Sequence, residues 1–187
     1  MKYNENSEMM KSKMKTADLA LCAFFAALSA ILSQIIIPIG PVPVSFTHIS
    51  IFAAAGLLGA KLGTVSQIVY VLLGAAGVPV FAGFTGGIGA VAGPRGGFII
   101  GYVLCALAVG LIVDRFGKSF KILIPAMYVG WVFTYVPGVS WFMRVTGAEL
   151  AAALPLCVFP FLPGDLLKTV LCAILVKRLS PALKALN

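Results

Sequence analysis

Six times along the chain, a run of apolar residues approaches the length needed to cross a bilayer and is then closed by proline, glycine or charge. The runs cover residues 18–37, 46–60, 64–82, 97–113, 122–136 and 163–176. Crossing the hydrocarbon layer takes roughly 20 residues, fewer where flanking side chains snorkel or the bilayer thins. Charged side chains make up only 11% of the chain against 60% apolar ones, whereas soluble domains carry about 25% charged residues. So few charges leave a surface that must face something as apolar as the core. The pattern predicts an all-α integral membrane protein with six transmembrane helices. The first run is too long for the apolar core of a secretory signal and is expected to stay as a span. Residues 149–162 are apolar but interrupted by Pro155 and Pro160, which suits a re-entrant or interfacial piece better than a seventh span.

Six spans put both termini on one side, and the basic residues test that arrangement. Lys2, Lys11, Lys13, Lys15, Lys61, Arg115, Lys118, Lys121, Lys177, Arg178 and Lys184 fall on the side of the termini, while Arg95, Arg144 and Lys168 fall opposite. Eleven against three places the termini in the cytoplasm of a multi-pass cell-membrane protein. The expected organisation is a polar leader at 1–16, a membrane domain at 17–178 and a cytoplasmic tail at 179–187. A net charge of +8 raises nucleic-acid binding, but the distribution follows topology and no basic-aromatic interleaving accompanies it.

Arg144 reads as a loop cation paired at the interface with Trp141. Arg95 and Lys168 have no topological reason to lie where they do. Lys168 belongs to Pro163-Gly164-Asp165-Leu166-Leu167-Lys168, where proline suits a first helical turn, Asp165 meets unpaired amides and Lys168 follows on the same face. A lysine inside an apolar span costs about 2.5–3.5 kcal/mol unless it finds a partner or a polar cavity. A pocket for a small polar or zwitterionic solute is therefore expected here. Arg95 lies in a second such place, the glycine-rich stretch from Gly83 to Gly97, which lets backbone approach a ligand closely. No phosphate-binding G-x-x-x-x-G-K-[ST] motif occurs, so nucleotide hydrolysis is not expected of this chain. Cys22, Cys105, Cys157 and Cys172 are scattered and read as small buried hydrophobes. His48 stands alone and reads as structural. With no paired carboxylates, nucleophile-base set or metal cluster within a span, neither an enzyme nor a resident metal or cofactor is expected. Ala23 and Ala27, and likewise Ala26 and Ala30, lie four apart on the first span and form a flat strip for close helix packing, internal or with a partner.

Taken together, several blocks resemble the BioY family, the biotin-binding S-components of energy-coupling-factor (ECF) transporters. They are Gly40-Pro41-Val42-Pro43-Val44-Ser45-Phe46-Thr47, Ala55-Gly56-Leu57-Leu58-Gly59, YVLLGAAGVPVF from Tyr70 to Phe81, Gly93-Pro94-Arg95-Gly96-Gly97-Phe98, and Pro160-Phe161-Leu162 leading into the Pro163–Lys168 block. Family members often read GPTGGY where this chain has Arg95 and Phe98, and VPxTLQ where it has Ser45 and Thr47. The resemblance implies a six-helix S-component bundle that captures biotin from outside and works with a transmembrane coupling protein and two ABC ATPases, which would use the ATP. It also implies that Ala23, Ala27, Ala26 and Ala30 form the docking strip. For the ligand it implies Asp165 and Lys168 first, then Arg95, with Ser45 and Thr47 adding hydroxyls and Tyr70, Phe81, Phe84 and Trp141 as apolar walls. The alternative is an S-component or small carrier for a different vitamin or small solute.

Overall fold

The computed structural model describes residues 15–38 and 42–184. Lys2, Lys11, Lys13, nearly all of the leader, Gly40-Pro41 and residues 185–187 lie outside the described residues. The elements in chain order are α1 (Thr16–Gln34), β1 (Ile36–Ile37), β2 (Val44–Ser45), α2 (Thr47–Ala75), α3 (Ile88–Ala92), α4 (Gly96–Phe116), α5 (Phe120–Thr146), α6 (Leu150–Cys157) and α7 (Leu162–Lys184). Four of these helices, α1, α2, α4 and α5, are individually long and apolar enough to cross a membrane, and α6 with α7 forms a further pair bent by 49°.

The 29 residues of α2 do not run straight. At Gly59 the backbone takes φ +79°, a left-handed conformation that glycine adopts without steric cost. The chain doubles back there. Ser29 Oγ on α1 bonds both Ser50 Oγ at 2.9 Å and Gln67 Oε1 at 3.1 Å, yet these two partners would stand about 25 Å apart along a straight helix rising 1.5 Å per residue. A Cβ on Gly63 would come within 2.8 Å of the Ala55 Cα, so the two arms pack almost backbone to backbone. The runs expected at 46–60 and 64–82 are these two arms.

The reversal is capped from α4 and the turn after it. Asp114 Oδ2 accepts the Ala60 N–H at 2.8 Å, and Lys118 Nζ donates to the Leu57 carbonyl at 2.7 Å. One orphan donor and one orphan acceptor at the break are thereby satisfied, as an interior shielded from water requires. Above this turn Phe52, Ala53, Ala54, Ala55, Ala106 and Val109 pack with Leu123, Met127 and Val176 into the main core. The outward faces of the helices carry exposed Leu, Ile, Val and Phe, among them Leu72, Leu111, Val132 and Leu171.

Several boundaries differ from those read in the sequence. The first helix stops at Gln34, and Ile36–Ile37 pairs antiparallel with Val44–Ser45. The third run ends as helix at Ala75, and the rest of it turns across the top of the bundle. α5 continues through Pro137 to Thr146, because an interior proline is tolerated where neighbouring helices support the backbone, and Pro137 is clamped against Gly97. Arg144 therefore sits in the last turn of this helix, not in a loop. The last helix runs past Val176 into the stretch assigned to a tail, with Lys177 over the Phe120 ring at 5.4 Å.

These contacts sort the charges by end. The Gly59 reversal, Asp114, Lys118 and the Phe120–Lys177 contact share one end with the beginning of α1, whose Cys22 reaches the Leu62 carbonyl at 3.4 Å. The short strands, Arg95, the end of α5 with Arg144, and the start of α7 with Lys168 form the other.

Candidate functional site

The start of α7 is where the bundle buries charge. Asp165 and Lys168, three residues apart on the first turns, retain only 4% and 6% exposure. Lys168 Nζ lies 3.2 Å from Asp165 Oδ1, and the Tyr135 hydroxyl donates to Oδ2. The turn is fixed from behind, since Thr169 Oγ1 donates to the Asp165 carbonyl at 2.7 Å and Trp131 Nε1 donates to Thr169 Oγ1 at 3.0 Å. Lys168 also stands over the rings of Trp131 and Phe46, at 5.7 and 5.9 Å from their centroids, where ring quadrupoles attract a cation. A buried ion pair is weak evidence for stability because desolvation offsets its attraction. This one faces a cavity.

That cavity measures about 420 Å³, within the range of small-molecule sites. Its walls bring together the hairpin at Val42–Ser45, the head of α2, Tyr70, the loop at Phe81–Thr85, Arg95, the α4 residues Phe98 and Tyr102, and the Trp131–Tyr135 face of α5. Most of the lining is apolar or aromatic. The charged groups are Asp165, Lys168 and Arg95. Such a cavity suits a small, largely apolar molecule with a few strongly polar groups.

The loop over the cavity is held by the end of α1. Gln34 Nε2 donates to the Val80 and Phe81 carbonyls at 3.2 Å each, Gln34 Oε1 accepts the Phe84 N–H at 2.8 Å, and Ser33 Oγ donates to Val80 O at 2.5 Å. Tyr70 adds a bond from its hydroxyl to the same Val80 carbonyl at 3.2 Å. Arg95 Nη1 reaches Ala82 O at 3.4 Å, and Trp141 Nε1 donates to Gly93 O at 3.0 Å.

Of the ligand residues expected from the sequence, Asp165, Lys168, Arg95, Tyr70, Ser45 and Thr47 line this one cavity, as does Phe81. Ser45 and Thr47 bond each other through their hydroxyls at 2.9 Å. Two do not line it. Phe84 points away and is 72% exposed, its left-handed backbone held by Gln34. Trp141 props the Gly93–Arg95 loop from outside the cavity. The docking strip also divides. Ala26 and Ala30 pack inside the bundle with Tyr70 and Ile99, so only Ala23 and Ala27 remain exposed for a partner.

Tyr102, Trp131, Thr134 and Tyr135, which the sequence does not single out, also line the cavity, as does His48, which the sequence marks as structural. A signal existed for three of them: Trp131, Thr134 and Tyr135 at i, i+3 and i+4 make a polar-aromatic stripe on one face of an otherwise apolar helix. His48 gave none, for its meaning comes from Trp131, whose ring lies 4.0 Å away between centroids.

The chain matches known proteins in sequence and in fold. Residues 9–185 match the model of the BioY family. The "Probable biotin transporter BioY" of Pyrococcus horikoshii is 37% identical over 166 residues, covering 89% of this chain and 98% of that protein. The "Biotin transporter BioY" of Thermotoga maritima is 36% identical, covering 83% and 90%. Among solved structures, the S-component for biotin from an ECF-type ABC transporter superposes with a TM-score of 0.79 at 28% identity, covering 94% of this chain and 93% of that one.

Proposed function

Because the chain belongs to the BioY family, we propose that it is the biotin-capturing membrane subunit, the S-component, of an ECF-type transporter in the plasma membrane. Biotin combines a ureido ring with two N–H donors and a carbonyl, an apolar thioether ring and a carboxylate on an aliphatic chain. The observation that carries the reading is the buried Asp165–Lys168 pair, held by Tyr135 and Thr169, at the wall of a mainly apolar cavity. Asp165 keeps lone pairs beyond those used by Tyr135 and Lys168 and accepts a ureido N–H. Lys168 and Arg95 supply donors and positive charge for the ureido carbonyl or the carboxylate. Each such charge-assisted bond contributes about 1.5–3 kcal/mol. Phe81, Phe98 and the Trp131 face enclose the apolar middle of the molecule.

The sorting of charges by end supports a topology with both termini in the cytoplasm, counting the two arms of α2 as separate spans and α6 with α7 as the last. The cavity then opens outward, the side from which uptake begins. Delivery inward falls to a membrane coupling protein and two ATPases that dock on this chain, with Ala23 and Ala27 as the small-residue surface left free on α1.

Titration of the purified protein with biotin tests the reading. Asp165→Asn and Lys168→Ala are each expected to weaken binding by about ten- to a hundredfold, the equivalent of one charge-assisted bond. Unchanged affinity in both removes the assigned site. Co-purification of a different vitamin replaces the substrate while leaving the transporter class.

A further inference from the structure

His48 lies at the head of α2, 7% exposed, with its ring against Trp131 and edge-on to Tyr102 at 5.2 Å. Its Nε2 is 3.3 Å from Thr134 Oγ1, and that hydroxyl donates its single proton to the Gly130 carbonyl at 3.2 Å. With its proton so committed, Thr134 Oγ1 can only accept, so Nε2 carries the hydrogen. In a neutral imidazole the other nitrogen is then a bare acceptor. Nδ1 has no hydrogen-bond partner among the described residues. Nor is it sealed in: among the described residues, Thr64 Oγ1 is the one side-chain polar atom shut away without a partner. Since the residue is otherwise buried and lines the cavity, the space Nδ1 reaches is the ligand's.

We propose that His48 Nδ1 is a ligand-binding acceptor that takes one ureido N–H of biotin while Asp165 takes the other. The inference rests on the biotin reading above and deepens it. Both acceptors are positioned around Trp131, whose ring packs tilted against His48 and which, through Thr169, holds the turn bearing Asp165. A ureido ring presents two donors flanking its carbonyl, so two separate acceptors fit it. A solute with a single donor leaves one of them unpaired. Selectivity against such solutes follows, since a buried polar group without its partner is costly.

Equilibrium binding of biotin and of its two cyclic carbamates, in which one or the other ureido N–H is a ring oxygen, tests the assignment on the purified full-length protein. In the wild type, each carbamate binds about tenfold or more weaker than biotin. His48→Phe keeps the ring stack and loses the acceptor, so the ratio for one carbamate falls to within about twofold while the other, set by Asp165, stands. His48→Asn, whose Oδ1 occupies the place of Nδ1, retains both ratios. Thr134→Val leaves the imidazole in place but removes the acceptor that fixes its tautomer, and lowers the same ratio as His48→Phe. That variant decides the matter should His48→Phe not fold. Ratios for both carbamates unmoved by His48→Phe or Thr134→Val, in a protein that binds biotin, overturn the role of His48 alone. A wild-type protein that does not bind biotin overturns the functional reading with it.

Discussion

The two ends of this bundle solve opposite problems with the same helices. At the Gly59 end, small residues close every gap: Ala53, Ala54, Ala55, Ala60, Gly63, Ala106 and Gly110 bring the arms of α2 and α4 nearly into backbone contact. At the other end α4 and α5 still meet closely, through Gly97 against Pro137 and Gly101 against Thr134, but Trp131, Tyr135, Tyr102 and Phe98 line about 420 Å³ of free space beside them. The difference teaches where the molecule stores its stability. A bilayer gives no hydrophobic drive between helices, so association rests on close packing and interhelical hydrogen bonds. The closed end supplies these, and the open end can then keep a buried ion pair and a cavity.

The largest expected effect comes from forcing the closed end open. Gly63→Leu puts a side chain where a Cβ alone would stand 2.8 Å from the Ala55 Cα, and neither arm can yield without leaving Gly59. Overpacking costs about 1–3 kcal/mol and occasionally more. With backbone as the obstacle, loss of folded protein is expected, read as the disappearance of the monodisperse peak in size-exclusion chromatography. A normal peak and normal biotin affinity would break the division between the two ends.

At the open end, stability and binding should separate. Lys168→Met leaves Asp165 buried with only the Tyr135 hydroxyl, and breaking such a pair costs about 3–5 kcal/mol. Adding Asp165→Asn removes the stranded charge, so the double variant is expected to melt above the single one while binding biotin no better. Thermal unfolding of the three proteins checks this. A double variant less stable than Lys168→Met would make the pair a structural element of the closed-end kind.

Lys118→Met tests the closed end more gently. It removes the donor on the Leu57 carbonyl and is expected to cost about 1.5–3 kcal/mol, the value of a hydrogen bond from a charged group. Biotin affinity should not move, because the reversal lies at the far end from the cavity.

How legible this was in the sequence differs between the same two regions. The run lengths and the bias of basic residues disclosed the membrane character and the charge sorting, because both follow from the solvent and not from which helix touches which. Asp165 and Lys168 were legible for a related reason: the bilayer rule could not explain them. The walls were harder. Trp131, Thr134 and Tyr135 stand on one helical face, but nothing local says that this face meets a cavity. His48 depends on a tautomer set by Thr134, 86 residues away. Phe84 and Trp141 show the reverse case, aromatic residues expected as walls that do not line the cavity, because nothing local states which way such a ring points. Gly59 lies inside the run at 46–60 and nothing local marks it as the point of reversal, which shows only in the contacts of Ser29 with both arms.

The smallest expected effect concerns the loop over the cavity, which Gln34 holds from the end of α1 while Phe81 is anchored in the packing. Gln34→Leu removes bonds to Val80, Phe81 and Phe84 at once, but these lie near the surface, where water replaces lost partners and each net bond contributes about 0.5–1.5 kcal/mol. A rise in the biotin dissociation rate of about fivefold is expected, corresponding to roughly 1 kcal/mol, with little change in melting temperature. Phe84→Ser on the same loop should leave that rate within about twofold, since its side chain points outward and a substitution away from packed features is typically worth under 0.5 kcal/mol. The pair is informative together, because a loop that merely shields the cavity would respond to both changes alike. A loop latched by Gln34 responds to the loss of the latch and not to the loss of the outward ring.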